Sequence, residues 1–81
     1  AVNRIVGEKP VWCGPNPGAD WQSGFVQVRA HGAPLDCTYR ETIDGVEIKL
    51  AAPLLGLATG QAAVLYDGDR VVGSATICET E

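Results

Sequence analysis

Apolar and polar residues alternate with the period of a β-strand along most of this chain, and glycine or proline interrupts the alternation at short intervals. From Phe25 to Ala30, Val26, Val28 and Ala30 share one face while Phe25, Gln27 and Arg29 share the other. His31-Gly32-Ala33-Pro34 ends that run. Leu35–Glu41 alternates again, with Leu35, Cys37 and Tyr39 on one face and Asp36, Thr38 and Arg40 on the other. Asp44-Gly45 is a hairpin dipeptide, because glycine accepts the positive φ that tight turns require. Val46–Leu50 returns with Val46, Ile48 and Leu50 inward and Glu47 and Lys49 outward.

Downstream, Ala51–Thr59 is apolar but carries Pro53 and Gly56, so the sequence predicts a bend with at most one helical turn. Gln61–Tyr66 reads as a largely buried strand that turns at Asp67-Gly68-Asp69 into Arg70–Ile77. Upstream, Asn3–Val6 and Pro10–Cys13 are two further short strands with Gly7 between them. Residues 14–24 form the longest irregular segment, since two prolines and three glycines exclude a regular helix. A loop of that length is a docking surface or a variable insertion. The sum is six or seven short strands without a helix. That pattern predicts an all-β fold, a small antiparallel barrel whose closure removes exposed strand edges.

Composition sharpens this picture. With 81 residues the chain makes one domain, and 46% hydrophobic residues suffice for its core. No apolar run approaches the roughly 18 residues that span a bilayer, and no secretory signature opens the chain. Six Lys/Arg against ten Asp/Glu give a net charge of −4, which disfavours an autonomous RNA-binding module driven by phosphate neutralisation. A domain that adds one or two contacts to a larger clamp remains compatible with that charge. Three dispersed cysteines, Cys13, Cys37 and Cys78, fit reduced thiols in a cytoplasmic protein better than a disulfide framework.

Candidate chemistry is sparse. Cys13, Cys37, Cys78 and His31 lack the short paired spacing of a zinc site. The lone histidine leaves no evident base for a nucleophile, and the prolines of Gly14-Pro15-Asn16-Pro17-Gly18 remove N–H groups that a phosphate cradle needs. The sequence predicts no catalytic, cofactor or metal residue. Trp12, flanking a strand, and Tyr66, in an apolar run, read as core residues. Trp21, in the polar loop, is the candidate for an exposed contact with RNA or a neighbouring domain. Scattered over strand faces, Arg4, Lys9, Arg29, Arg40, Lys49 and Arg70 read as solvated surface residues.

One ordered set of motifs is more specific. Val26-Gln27-Val28-Arg29 opens it, followed by Pro34, by Asp36-Cys37-Thr38 and by the Asp44-Gly45 hairpin. It closes with Gly60-Gln61-Ala62-Ala63-Val64-Leu65-Tyr66-Asp67-Gly68 and Val72-Gly73-Ser74-Ala75-Thr76-Ile77. From Gly24 to Ile77 this resembles the C-terminal domain of the tRNA-specific 2-thiouridylase family, the tRNA-uridine 2-sulfurtransferases. The resemblance implies one domain over residues 1–81, a β-barrel like the second domain of translation elongation factors, within a larger enzyme that thiolates the wobble uridine of tRNA. It implies tRNA as a partner, with the catalytic domain of the same protein and a sulfur-carrier protein, and no membrane.

The family's Arg-Tyr pair, implied to touch tRNA, falls on Arg29 and Ala30. Arg29 keeps the guanidinium fork. Ala30 supplies neither ring nor hydroxyl, and the adjacent His31 is a partial substitute. The set of tRNA-binding candidates is therefore Arg29, Ala30, His31 and Trp21. ATP with magnesium, and the catalytic cysteines, are implied for an upstream Ser-Gly-Gly-x-Asp-Ser domain whose motifs do not occur here. The other expectation compatible with this chain is a purely structural barrel that packs on its own catalytic domain.

Overall fold

The computed structural model describes residues 1–28 and 32–81 and is built from six strands. These are β1 (Val2–Trp12), β2 (Gln22–Gln27), β3 (Leu35–Glu41), β4 (Gly45–Leu54), β5 (Ala62–Asp67) and β6 (Arg70–Thr80). They close into an antiparallel barrel in the order β1-β4-β3-β2-β5-β6, with β6 pairing back onto β1. Among the described residues there is no helix. The all-β barrel expected from the alternation is the fold observed.

Inward positions follow the period of two, with one step of three in β6 between Val72 and Ala75, where its pairing with β5 shifts register. Val26 of β2, Cys37 and Tyr39 of β3, Val46, Ile48 and Leu50 of β4, Ala63 and Leu65 of β5, and Val72, Ala75 and Ile77 of β6 surround Ile5 of β1. Each fully buried Val, Leu or Ile contributes about 1.5–3 kcal/mol of transfer free energy. Leu54 and Leu57 pack on this core, where Gly56 (φ +78°) and Gly60 (φ +91°) redirect the chain between β4 and β5.

Three local expectations change. The two upstream strands are one, because Gly7 is a packing residue and not a turn. A Cβ there would lie 2.8 Å from the Ala75 Cβ and 2.9 Å from Val46 Cγ1. The bend in β1 comes later, at Lys9 (φ +51°), where the register against β6 shifts between Glu8 and Val11. Second, the Ala51–Thr59 stretch continues β4 as far as Leu54 instead of making a helical turn. Pro53 is tolerated near the strand's end, where the pairing with β1 becomes irregular between Val2 and Arg4. Third, the hairpin between β3 and β4 turns on Ile43-Asp44, with Thr42 and Gly45 exchanging backbone hydrogen bonds of 2.9 and 3.4 Å.

Gly45 is therefore required for a reason other than φ. Among the described residues, positive φ belongs to Lys9, Gly18, Gly56, Gly60 and Gly68. A Cβ on Gly45 would run into the Gly7 carbonyl oxygen of β1. The two loop residues between β5 and β6 are Gly68-Asp69, with Gly68 at φ +61° and open space around it. Gly45→Ala should destabilise the barrel by about 1–3 kcal/mol through overpacking. Gly68→Ala should cost about 1–2 kcal/mol through backbone strain alone. Urea unfolding of the two variants distinguishes the mechanisms: added space at Gly7's partner strand, by Val46→Ala, cannot rescue Gly45→Ala, since the clash is with backbone.

Candidate nucleic-acid interface

The irregular segment is tied to the end of β3. Glu41 accepts hydrogen bonds from Asn16 Nδ2 (3.0 Å) and the Gly18 N–H (3.2 Å), and its own N–H donates to the Gly18 carbonyl (2.8 Å). Gln22 Nε2 donates to the Pro17 carbonyl. These bonds deliver the chain to the start of β2, and β2 begins inside the stretch expected to be loop. The alternation of β2 then turns Val26 inward and leaves Ser23 and Phe25 exposed.

Trp21 precedes β2 and lies across the outside of the barrel. Its ring centroid is 4.7 Å from Arg40 Cζ on β3 and 4.8 Å from Lys49 Nζ on β4. Such contacts at exposed sites contribute about 0.5–1 kcal/mol each and hold the ring in place. The ring remains 38% exposed. The expectation of an accessible aromatic in this loop is met, and its neighbours are cations.

Beside this stack, Glu47 points outward yet is only 8% exposed, because two arginines cover it. Arg40 Nε and Nη2 approach Glu47 Oε1 at 2.9 and 2.8 Å, and Arg4 Nε donates to Glu47 Oε2 at 2.6 Å. Hydrogen bonding by Arg4, then by Arg40, holds the Glu47 carboxyl below its ordinary value of 4.5 against the opposing effect of burial. Arg4 also meets Glu79 (3.3 Å) and Glu81, so carboxylates surround it. Arg70 pairs loosely with Asp67 at 3.4 Å. Among the described residues Lys49 has no carboxylate within ion-pair distance, and its ammonium stands beside the indole.

Arg29, Ala30 and His31 lie outside the described residues. Their flanks are Val28, buried just past the end of β2, and Gly32, whose carbonyl accepts a 3.0 Å bond from Gln27 Nε2. Tyr66 donates to Gln27 Oε1 at 3.3 Å, placing its hydroxyl on the outside of β5. Tyr66 is thus a half-buried surface residue and not the core aromatic expected, because Leu65 takes the inward position. Trp12 packs on the core from a half-buried position. Trp21 and Val28 flank opposite ends of β2.

The cysteines stay apart. Cys37 is buried, and desolvation, with a smaller effect of Asp36, pushes its thiol up to about 11. Cys13 and Cys78 are exposed. Among the described residues no three metal-ligating side chains converge. Sequence reasoning passed over Arg40, Lys49, Glu47 and Glu41 as ordinary strand-surface residues. The outward alternation of β3 and β4 puts all but Glu41 of these residues on the outer face, but the pairing of Arg40 with Glu47 follows from the register that the Ile43-Asp44 turn sets.

Comparison with known proteins adds the following. The family described as an aminomethyltransferase β-barrel domain matches residues 2–77. The tRNA-specific 2-thiouridylase MnmA of Thermobifida fusca is 57% identical over 79 residues, 98% of this chain and 22% of that protein. The protein of the same name from Nocardioides sp. is 53% identical over 100% of this chain and 22% of its own length. That from Cutibacterium acnes is 50% identical over 99% of this chain, again 22% of its length. The chain spans about a fifth of the curated relatives it matches.

The lowered Glu47 carboxyl has a pH consequence. A group depressed on folding stabilises fully above its unfolded value, here near 4.5, and that stabilisation is lost as pH falls through the folded value below it. Glu47→Gln should therefore flatten the acid limb of a melting-temperature profile below about pH 4.5 relative to wild type. An unchanged acid limb would mean that the Arg4–Glu47–Arg40 cluster carries no pH-dependent stability.

Proposed function

We propose, for a chain that belongs to the aminomethyltransferase β-barrel domain family, that this barrel positions tRNA on an enzyme that 2-thiolates the wobble uridine. The observation that carries the reading is the 57% identity with a tRNA-specific 2-thiouridylase over 98% of the chain. Catalysis on one base of a large RNA requires the reacting atoms to be held within about 3–3.5 Å. Contacts carried on a closed, stiff scaffold meet that requirement better than contacts on free loops. In this reading Arg29 meets a phosphate, His31 and Trp21 add secondary contacts, and Ala30 offers no side-chain donor. ATP with magnesium, the sulfur carrier and the catalytic groups act in the rest of the protein, in the cytoplasm.

A second reading has its own observation. The net charge of −4, with Glu47, Glu79 and Glu81 gathered on Arg4, suits a barrel that packs against its own catalytic domain without touching RNA. The measurement that separates the two is tRNA affinity of the intact protein with Arg29→Ala against wild type, at two salt concentrations. A phosphate contact at Arg29 makes the variant bind more weakly and lowers the salt slope by about 1. Equal affinity and equal slope would favour the packing role.

A further inference from the structure

Two aromatic rings occupy one outer face of the barrel. Trp21 and Phe25 are each 38% exposed, and they are four residues apart on the same side of β2, roughly 13 Å at the extended rise. Between them a single row crosses three strands: Ser23 pairs with Thr38, and Thr38 with Lys49. A groove of about 440 Å³ follows this row, lined by Ser23, Phe25, Asp36, Thr38, Lys49 and Asp67. Phe25 stands as the ridge between this groove and a second of about 500 Å³ that reaches Pro34 and Tyr66.

We infer that this face of β2, β3 and β4 binds an unpaired stretch of tRNA, with Trp21 and Phe25 stacking bases and Lys49 meeting a phosphate. The inference rests on the tRNA-positioning reading and assigns it contacts at Phe25 and Lys49 in addition to those already named. Stacking is the part of RNA recognition open to an acidic domain, because it does not depend on net positive charge. It also selects single-stranded loops, whose bases can be splayed onto a ring, over stems, whose bases stay paired.

The charges on the face are arranged accordingly. Glu47 is engaged by Arg4 and Arg40, so it does not confront a phosphate, and Lys49 is the cation left beside Trp21. Ser23 and Thr38 hydroxyls can donate to phosphate or meet a ribose 2′-hydroxyl. At the far end Asp36, paired across from Phe25, presents a carboxylate that accepts from an exocyclic amino group and repels phosphate. Asp67, the groove's other carboxylate, lies beside Arg70. The face therefore has a phosphate end at Lys49 and a base end at Phe25.

The test uses the intact protein and an unmodified tRNA transcript. Phe25→Ala and Trp21→Ala should each weaken binding about 5- to 150-fold, the loss of one stacked base, with the salt slope unchanged. Phe25→Tyr, which keeps the ring, should bind as wild type, whereas Lys49→Ala should lower the slope by about 1. Because both rings are exposed, unchanged melting temperatures for these variants confirm that folding is intact. Wild-type affinity for both ring variants overturns the inference. If Arg29→Ala then still weakens binding, the barrel touches tRNA elsewhere and only this face is withdrawn; if it does not, the tRNA reading falls as well. Ring loss that leaves tRNA affinity intact but increases protease cleavage between the barrel and the rest of the protein would assign the face to domain packing.

Discussion

Closing six strands into so narrow a ring brings backbone within side-chain distance of backbone, and the fold depends on glycine wherever that happens. At Gly45 a Cβ would enter the Gly7 carbonyl, and at Gly7 it would crowd Ala75 and Val46. At Gly73 it would stand 2.5 Å from the Val11 carbonyl oxygen, and at Gly24 2.5 Å from the Tyr66 carbonyl oxygen and 2.9 Å from the Tyr39 ring. Three of these four sites line the seams of β1 with β4 and β6; the fourth lies on the seam of β2 with β5 and also gives Tyr39 room. Density at native levels leaves little slack for such contacts to relax. The inside of the barrel is therefore fixed by shape.

The outward positions carry the polar organisation. Glu47 gathers Arg40 from β3 and Arg4 from β1, so one carboxylate ties three neighbouring strands together on their solvent side. Arg40 in turn meets the Trp21 ring, and Glu41, the next residue, anchors the loop that delivers Trp21. The aromatic stack thus depends on two carboxylates, Glu47 on β4 and Glu41 on β3, which face different parts of the chain. Surface ion pairs are individually weak. Their effect here is to orient a ring, which a count of salt bridges would overlook.

The fold was legible because period-two alternation and turn chemistry agree along nearly the whole chain, and the inward sets at β3 and β4 are the observed core residues there, save that Leu35 is only partly buried against them. What the sequence concealed were glycines with two different meanings. Gly7 read as a break and Gly45 as a left-handed turn residue, yet both are small because another strand passes close by. The second misreading matters for the surface. A turn centred on Asp44-Gly45 would set Arg40 opposite Lys49, two cations, whereas the turn centred on Ile43-Asp44 sets Arg40 opposite Glu47. Trp21 was recognisable as an exposed aromatic from its polar loop; its cationic neighbours depend on that register and on loop bonds that no local pattern encodes.

The circuit that closes the barrel joins its first strand to its last, β1 to β6. As the chain leaves the ribosome, β1 can pair with β4 early, but its other edge has no partner until β6 has emerged. Until then β1 and β5 each present an open row of backbone donors and acceptors, the kind of edge that recruits foreign strands. The window of vulnerability to aggregation therefore closes only once β6 has been made and has paired with β1. Ribosome stalling or premature termination just before Arg70 would be more hazardous to this domain than the same event after Thr80.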